Sequence, residues 1–494
     1  MSVVARQGFK YTVIGYLGFI LGAISNYFLF PYDFAFYGKL SYILTTAEIF
    51  VPIVVFGLSY ANVKFFHQSQ KDGRHQNLLS LSLLGIVFNF VVFAALFFFF
   101  HYIFPEYQEE EWWKLKYIIL PLVLLLAISH VFNRYVSNYK RIVVPNIFEN
   151  IFPKLANLGA FCLFIFLGMT QQSAFGFFFG MLLLSTIGYF FYANSLEKIK
   201  PDFSTGYIKK DHLWKDILSY SFFGFLGNIG NYIAIKIDKF MIGNSLGMEE
   251  LGIYSTLFAM ISLISIPQLG IFNISAPIIN KSIADNDMEE LDRFHKKTSL
   301  SLFFLGAVLF SCILVGFPYL VSYIKNGTML RESEPVIWIL GSAILFDLAT
   351  GFNGNIISMS RYYRYNIVFM IFLAVLTIVL NYYFLEHTSL GIVGVALATA
   401  ISLTLYNIVK IVFNYLKFKV HPLTIEMIFV SIISTLAITV AIVLPDFGNN
   451  LINLFYKPAV VLLLIYIGNH FLRIFPVEEY INRKFIRSIF RFGK

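Results

Sequence analysis

Lys236 and Lys239 lie three residues apart in a stretch of helical length, so they share one face, and Asp238 is turned away from their common direction at about 100° per residue. Two cations on one face suit an anionic ligand; the plainer alternative is that both sit near an interface and extend their ammonium groups into it. Further ionisable residues interrupt long apolar runs: Glu48, Glu149, Lys154 and Asp347, with His130 beside them. At the centre of a hydrocarbon layer each charge costs about 2.5–3.5 kcal/mol, so such groups face a cavity or one another. Glu149 and Lys154, five residues apart, are poorly placed to pair within one helix, and at least one must find a partner on another. Glu48 and Asp347 are flanked by apolar residues on both sides. A cavity-lining group, a proton or sodium site, and half of an ion pair all fit them.

Other chemistries lack their residues. The chain has no P-loop, HExxH, CxxC or GxSxG pattern, so neither ATP hydrolysis nor familiar hydrolytic catalysis is encoded. Its two cysteines, Cys162 and Cys312, fall inside apolar runs and read as small hydrophobes rather than a bridge or a metal site. No cofactor is implied, and the chain does not read as an enzyme.

The elements that must position these charges are membrane spans. Of 494 residues 58% are hydrophobic and 13% charged, with mean hydropathy +0.72, against about 25% charged in soluble proteins. A soluble enzyme, a disordered chain and a secreted disulfide scaffold are excluded. Apolar segments of about 20 residues, the length that crosses about 30 Å, fall at 9–30, 38–61, 78–103, 115–133, 146–168, 174–193, 217–243, 251–275, 299–323, 335–358, 366–385, 390–413, 424–444 and 455–473. The expectation is an all-α polytopic membrane protein of about 14 transmembrane helices. The first run is too long for a signal h-region and lacks a small-residue cleavage site, so it is expected to remain. Taking the connecting segments alternately, 28 of the 37 Lys and Arg residues fall on one side, which places both termini in the cytoplasm. The net charge of +9 is thereby an orientation signal, and nucleic acid is not an expected partner.

Sliding the chain on itself by 214 residues aligns Gly38-x-x-Ser41 with Gly252-x-x-Ser255 and brings Pro52 near Pro267; further along, Arg134-Tyr135 finds a counterpart in Arg361-Tyr362. A repeat of six helices keeps its polarity, so two six-helix lobes would be related by an axis along the membrane normal. This predicts lobes at 1–200 and 201–420, with two extra helices and a basic tail at 421–494. The first and seventh spans open the lobes and carry Gly15, Gly18 and Gly22, and Gly224, Gly227 and Gly230. Glycines at this spacing permit either close packing or bending. Asn228 and Asn231 would serve backbone groups freed by a bend, which makes the seventh span a candidate gate.

The stretch Ile237-Asp238-Lys239-Phe240-Met241-Ile242-Gly243, continued by Leu246-Gly247 and Leu251-Gly252-Ile253-Tyr254-Ser255, together with the fourteen spans and the repeat, resembles the polysaccharide exporter or O-antigen flippase branch of the multidrug/oligosaccharidyl-lipid/polysaccharide (MOP) transporter superfamily. The resemblance implies flipping of an undecaprenyl-diphosphate-linked oligosaccharide across a bacterial cytoplasmic membrane, for O-antigen, capsule or exopolysaccharide synthesis. It implies Lys236, Lys239 and Lys154 as contacts for the diphosphate, with Tyr and Asn side chains serving the sugars. Asp238, Glu48, Asp347 and Glu149 become candidates for cavity acids or for coupling to a proton or sodium gradient or to membrane potential. Membrane lipids, and the polymerase and chain-length regulator of the same pathway, are the implied partners. A cation-coupled multidrug exporter of the same superfamily would share the fold and depend on the acids instead. A membrane glycan polymerase would need a large outer loop, and the predicted outer loops reach only about a dozen residues.

Overall fold

The computed structural model describes residues 14–15, 17–141, 143–209 and 212–476. Of the basic residues behind the orientation argument, Arg6, Lys10, Lys210 and those from Arg483 to Lys494 lie outside the described residues, as does most of the tail. Among the described residues the chain is helical, without strands. Ten helices among the described residues are long and apolar enough to cross a membrane, and eleven when Pro335–Ala349 and Asn353–Met359, bent by 47°, count as one. Each of the fourteen predicted segments overlaps helical residues. The protein is thus a multi-pass membrane protein.

In chain order the principal helices are α1 (Leu17–Tyr32), α2 (Phe34–Val55), α3 (Leu58–Lys71), α4 (His75–Ile103), α5 (Lys116–Ser137), α6 (Phe152–Ile165), α7 (Gln171–Leu196), α8 (Leu213–Ser245) and α9 (Met248–Ile261). They continue with α10 (Ile266–Ala284), α11 (Met288–Leu320), α12 (Pro335–Ala349), α13 (Asn353–Met359), α14 (Tyr363–His387), α15 (Ile392–Phe418), α16 (Ile425–Val443) and α17 (Asn450–Leu472). Side-chain caps set several starts: Asp33 accepts from the Phe36 amide at 2.8 Å before α2, and Asp287 from the Glu290 amide at 2.9 Å before α11. The single span predicted at 38–61 is two helices. Phe56 (φ 43°) and Gly57 (φ 71°) both turn left-handed between α2 and α3, and a Cβ on Gly57 would strike the Ser221 carbonyl of α8. Only glycine meets both demands without strain.

The chain forms two compact units, one holding the residues up to Met260 with Arg364–Ser402, the other Ile261–Tyr363 with the residues from Leu403. Within the first unit α8 packs along α2 and α3. In the first unit α2 also packs on α5, and α7 joins α5 to α6. In the second, α11 packs on α12, α16 and α17, around Phe303, Ala307, Val430, Ala437, Val461 and Ile465.

Within the first unit, α2 and α9 meet where the 214-residue offset relates them. The Oγ atoms of Ser41 and Ser255 are 3.2 Å apart. A Cβ on Gly38 would collide with the Met248 carbonyl, and one on Gly252 with the Phe34 carbonyl. Each half of the contact is the other half displaced by 214 residues, the reciprocity that a two-fold axis imposes.

Candidate functional site

Asp238 is 4% exposed, on the face of α8 that turns from the lysines. Its Oδ1 accepts from the Asn381 amide at 2.8 Å, and its Oδ2 accepts from the Tyr254 hydroxyl at 2.9 Å and the Thr399 hydroxyl at 2.6 Å. One carboxylate therefore ties α8 to α9, α14 and α15. Three donors make a buried charge tolerable. Beside them the Asn381 Oδ1 is buried with no hydrogen-bond partner.

Both lysines reach α2. The Lys236 ammonium is 2.7 Å from Glu48 Oε2, and the Lys239 ammonium donates to the Ser41 hydroxyl at 3.4 Å, with the Phe258 ring at 6.0 Å. Residues 41 and 48 are two turns apart on α2, so the pair that shares a face of α8 meets one face of α2. Glu48 also lines a cavity of about 120 Å³ with His130, Asn133, Glu149, Tyr189 and Tyr232. Across it Asn133 donates to Glu149 Oε2 at 2.9 Å and to the Tyr189 hydroxyl at 3.3 Å. Glu149 lies in a π-helical turn, Ile147–Ile151, which carries the chain into α6.

Lys154 donates to the Gly18 carbonyl at 2.8 Å. Gly18 and Gly22 form the surface over which that side chain runs: a Cβ at Gly22 would stand 3.4 Å from its Cε, and one at Gly18 3.6 Å from its Nζ. Gly15 has nothing within 4 Å of such a Cβ. On α8, Gly224 packs against Tyr60 and Gly57, Gly227 against Ile367, and Gly230 against the backbone of Met370 and Ile371. The helix runs unbroken past all three. Asn228 accepts from the Tyr60 hydroxyl at 2.9 Å, and with Asn231 it lines a second cavity of about 380 Å³.

In the second unit Asp347 accepts from the Asn407 amide at 2.8 Å. Lys410, inside the span predicted at 390–413 and used there only in the count of basic residues on one side, is 7% exposed on α15, with its ammonium 4.0 Å from the centre of the Tyr406 ring. Asp347 is its electrostatic neighbour. The sequence reading missed this lysine, and it missed Asn381 and Thr399, the partners of Asp238. Each is a polar side chain inside an apolar run, which is the signal that would have found them. Among the described residues no group of three or more His, Cys, Asp and Glu residues is placed to hold a metal ion.

Between the spans, Glu197 joins the loops at one end of the first unit. It accepts from the Tyr139 hydroxyl at 2.7 Å and meets His75 Nε2 at 2.6 Å. Burial pushes its pKa up, but hydrogen bonds from Tyr139, His75 and Gln76 together hold it below the ordinary 4.5.

The family described as "Polysaccharide biosynthesis protein" matches residues 5–283 of the chain. No curated protein sequence matches it. Among solved structures, "Lipid II flippase MurJ, inward closed conformation" is similar over 94% of this chain and 98% of that one, at 14% identity and a TM-score of 0.72. An inward-facing multidrug resistance MATE family transporter of the MOP superfamily is similar over 85% of this chain and 95% of that one, at 14% identity and a TM-score of 0.59. At these identities the likeness shows the fold, and the proteins that share it are flippases and transporters.

Proposed function

This chain belongs to the polysaccharide biosynthesis protein family, and from that premise we propose that it flips an undecaprenyl-diphosphate-linked oligosaccharide across the cytoplasmic membrane of a bacterium, supplying repeat units for a surface polysaccharide. The observation that carries the reading is the family match over residues 5–283, made on a fold shared with a lipid II flippase. The proposed frame has fourteen spans in two six-helix lobes with two added helices and both termini in the cytoplasm. The lobes would alternate access to a central cavity while the polyprenyl tail stays in lipid.

The charges suit that task. In the structure described here Lys236 is held by Glu48 and Lys239 by Ser41. A diphosphate entering beside α8 would compete with Glu48 for Lys236, so the ion pair acts as an exchangeable latch: the cation is neutralised while empty and released to the anion when loaded. Coupling to a proton or sodium gradient would fall to Asp238, whose carboxylate joins four helices, with Asp347 as the candidate in the second unit. Hydrogen bonds that change with cation occupancy at Asp238 would alter how those helices pack.

A second reading, a cation-coupled multidrug exporter, draws on Glu48 and Glu149 lining one cavity in the first unit. The two readings differ in which charge is indispensable. Purified protein in vesicles is tested for exposure of a fluorescent undecaprenyl-diphosphate oligosaccharide on the opposite leaflet, and for export of a lipophilic cation. Flipping without cation export supports the proposal; cation export without flipping overturns it in favour of the second reading.

A further inference from the structure

The cavity of about 380 Å³ in the first unit differs in its chemistry from the lysine latch. Its polar lining is amide and phenol: Asn228 and Asn231 from α8, Asn366 from α14 and Tyr60 from α3, with Phe223 as an apolar side. Amides and tyrosine hydroxyls offer donors and acceptors without charge, which is what sugar hydroxyls require. Two guanidinium groups stand over aromatic rings of this lining. Arg134, near the end of α5, has its Cζ 5.0 Å from the centre of the Tyr60 ring and donates to the Tyr60 hydroxyl at 3.4 Å. Arg364, at the start of α14, has its Cζ 5.5 Å from the centre of the Phe223 ring.

Arg134 is exposed and, among the described residues, makes no salt bridge with a carboxylate, whereas Lys236 is matched by Glu48. Asn366 brings a third amide to the lining, from a different helix than Asn228 and Asn231. The cation beside an uncharged lining of amides and a phenol suits an occupant that carries both an anionic group and hydroxyls. An anionic phospholipid supplies the first but few of the second, and a neutral sugar supplies only the second.

We propose that Arg134, Tyr60, Asn228, Asn231 and Asn366 form a recognition site for a phosphorylated glycan headgroup, with the guanidinium on the phosphate and the amides on the sugar. A planar guanidinium can take two phosphate oxygens at once, and stacking on Tyr60 restricts it to a plane suited to that contact. The site deepens the flippase reading and rests on it. It adds residues beyond Lys236 and Lys239 to headgroup recognition, and it gives Asn228 and Asn231 a role in binding rather than in bending.

The test uses the full chain in nanodiscs, with binding measured for four probes: an undecaprenyl-diphosphate disaccharide, undecaprenyl diphosphate without sugar, phosphatidylglycerol and inorganic pyrophosphate. Arg134→Gln should weaken both undecaprenyl ligands at least tenfold, and Arg134→Lys should fall between it and the wild type. The double variant Asn231→Ala/Asn366→Ala should weaken only the sugar-bearing ligand, by a similar factor. Arg134 is exposed, so its replacement removes no core packing, and the thermal midpoint of each variant checks its fold. If folded Arg134→Gln or the double variant binds the disaccharide lipid like wild type, the site is overturned and the flippase reading stands. Equal binding of phosphatidylglycerol, with equal loss in Arg134→Gln, makes this a general anionic-lipid site and overturns the proposal. Binding of pyrophosphate at the same strength assigns the site to free phosphates instead. A wild-type protein that binds neither undecaprenyl ligand overturns the inference and the flippase reading together.

Discussion

Ser41 and Ser255 face each other with their hydroxyl oxygens 3.2 Å apart and 214 residues of chain between them. The same offset relates Gly38 to Gly252 and Phe34 to Met248, and both glycines press on the backbone carbonyl of the related position. A Cβ at either site meets a carbonyl that cannot rotate aside. Gly38→Ala and Gly252→Ala should each destabilise the protein toward the upper end of the about 1–3 kcal/mol typical of overpacking. The two losses should not add, because separating α2 from α9 relieves both. Thermal midpoints of the detergent-solubilised protein check this against Gly180→Ala in the interior of α7, where a Cβ meets nothing within 4 Å and the midpoint should not fall, since alanine favours a helix interior over glycine by about 1 kcal/mol.

The Lys236–Glu48 pair makes a reciprocal prediction. Lys236→Gln leaves Glu48 as a lone carboxylate, and Glu48→Gln leaves Lys236 as a lone cation. The side chains retain 31% and 25% exposure, so each single change should cost less than the roughly 3–5 kcal/mol of a fully buried pair broken on one side. The exchange Glu48→Lys/Lys236→Glu should recover folding, read as membrane yield and thermal midpoint. It should leave flipping impaired, because the cation then sits on α2. Restored flipping in the exchanged protein would remove Lys236 from the diphosphate path.

Asp238 separates packing from coupling. Asp238→Ala leaves the Asn381, Thr399 and Tyr254 donors without their acceptor, at about 1–3 kcal/mol for each buried group left unsatisfied. The thermal midpoint should therefore fall sharply. Asp238→Asn keeps the shape and one acceptor oxygen but no charge, so the protein should remain folded with a smaller loss. If Asp238 couples transport, the folded Asn variant should lose the dependence of flipping on an imposed proton or sodium gradient. Gradient-driven flipping at wild-type rate would leave Asp238 a packing residue alone.

Much of the frame was legible because hydropathy over about 20 residues reports burial in lipid or protein whatever the partner. The break at Phe56 and Gly57 was not, since both residues are apolar enough to sit inside a span and only their left-handed φ values divide it. The set of charges could be read from the sequence, but their pairing could not. That Lys236 and Lys239 share a face follows from their spacing, yet that this face meets Ser41 and Glu48 depends on how α8 crosses α2. Lys410 was passed over as a buried charge because it lies near the polar end of its run. Its spacing from Asn407 and Asn414, i−3 and i+4, nevertheless marks a polar stripe on one face of α15, and both asparagines are fully buried.

Glu197 gives a prediction that depends on pH and lies outside the spans. Its carboxyl is held below 4.5 in the folded protein although burial alone would raise it. A carboxylate whose folded value is depressed stabilises the fold above its unfolded value and loses that contribution as pH falls through the folded one. The stabilisation should thus be complete near neutrality and decline on acidification below about 4.5, the ordinary value. Tyr139→Phe removes the 2.7 Å donor, so the carboxyl should titrate at higher pH and the acid-side decline should begin earlier. Glu197→Gln should lower the thermal midpoint at pH 7 and flatten this part of the profile. Thermal midpoints of the three proteins from pH 7 downward measure both effects, and identical acid limbs in wild type and Glu197→Gln would show that Glu197 contributes nothing to acid sensitivity.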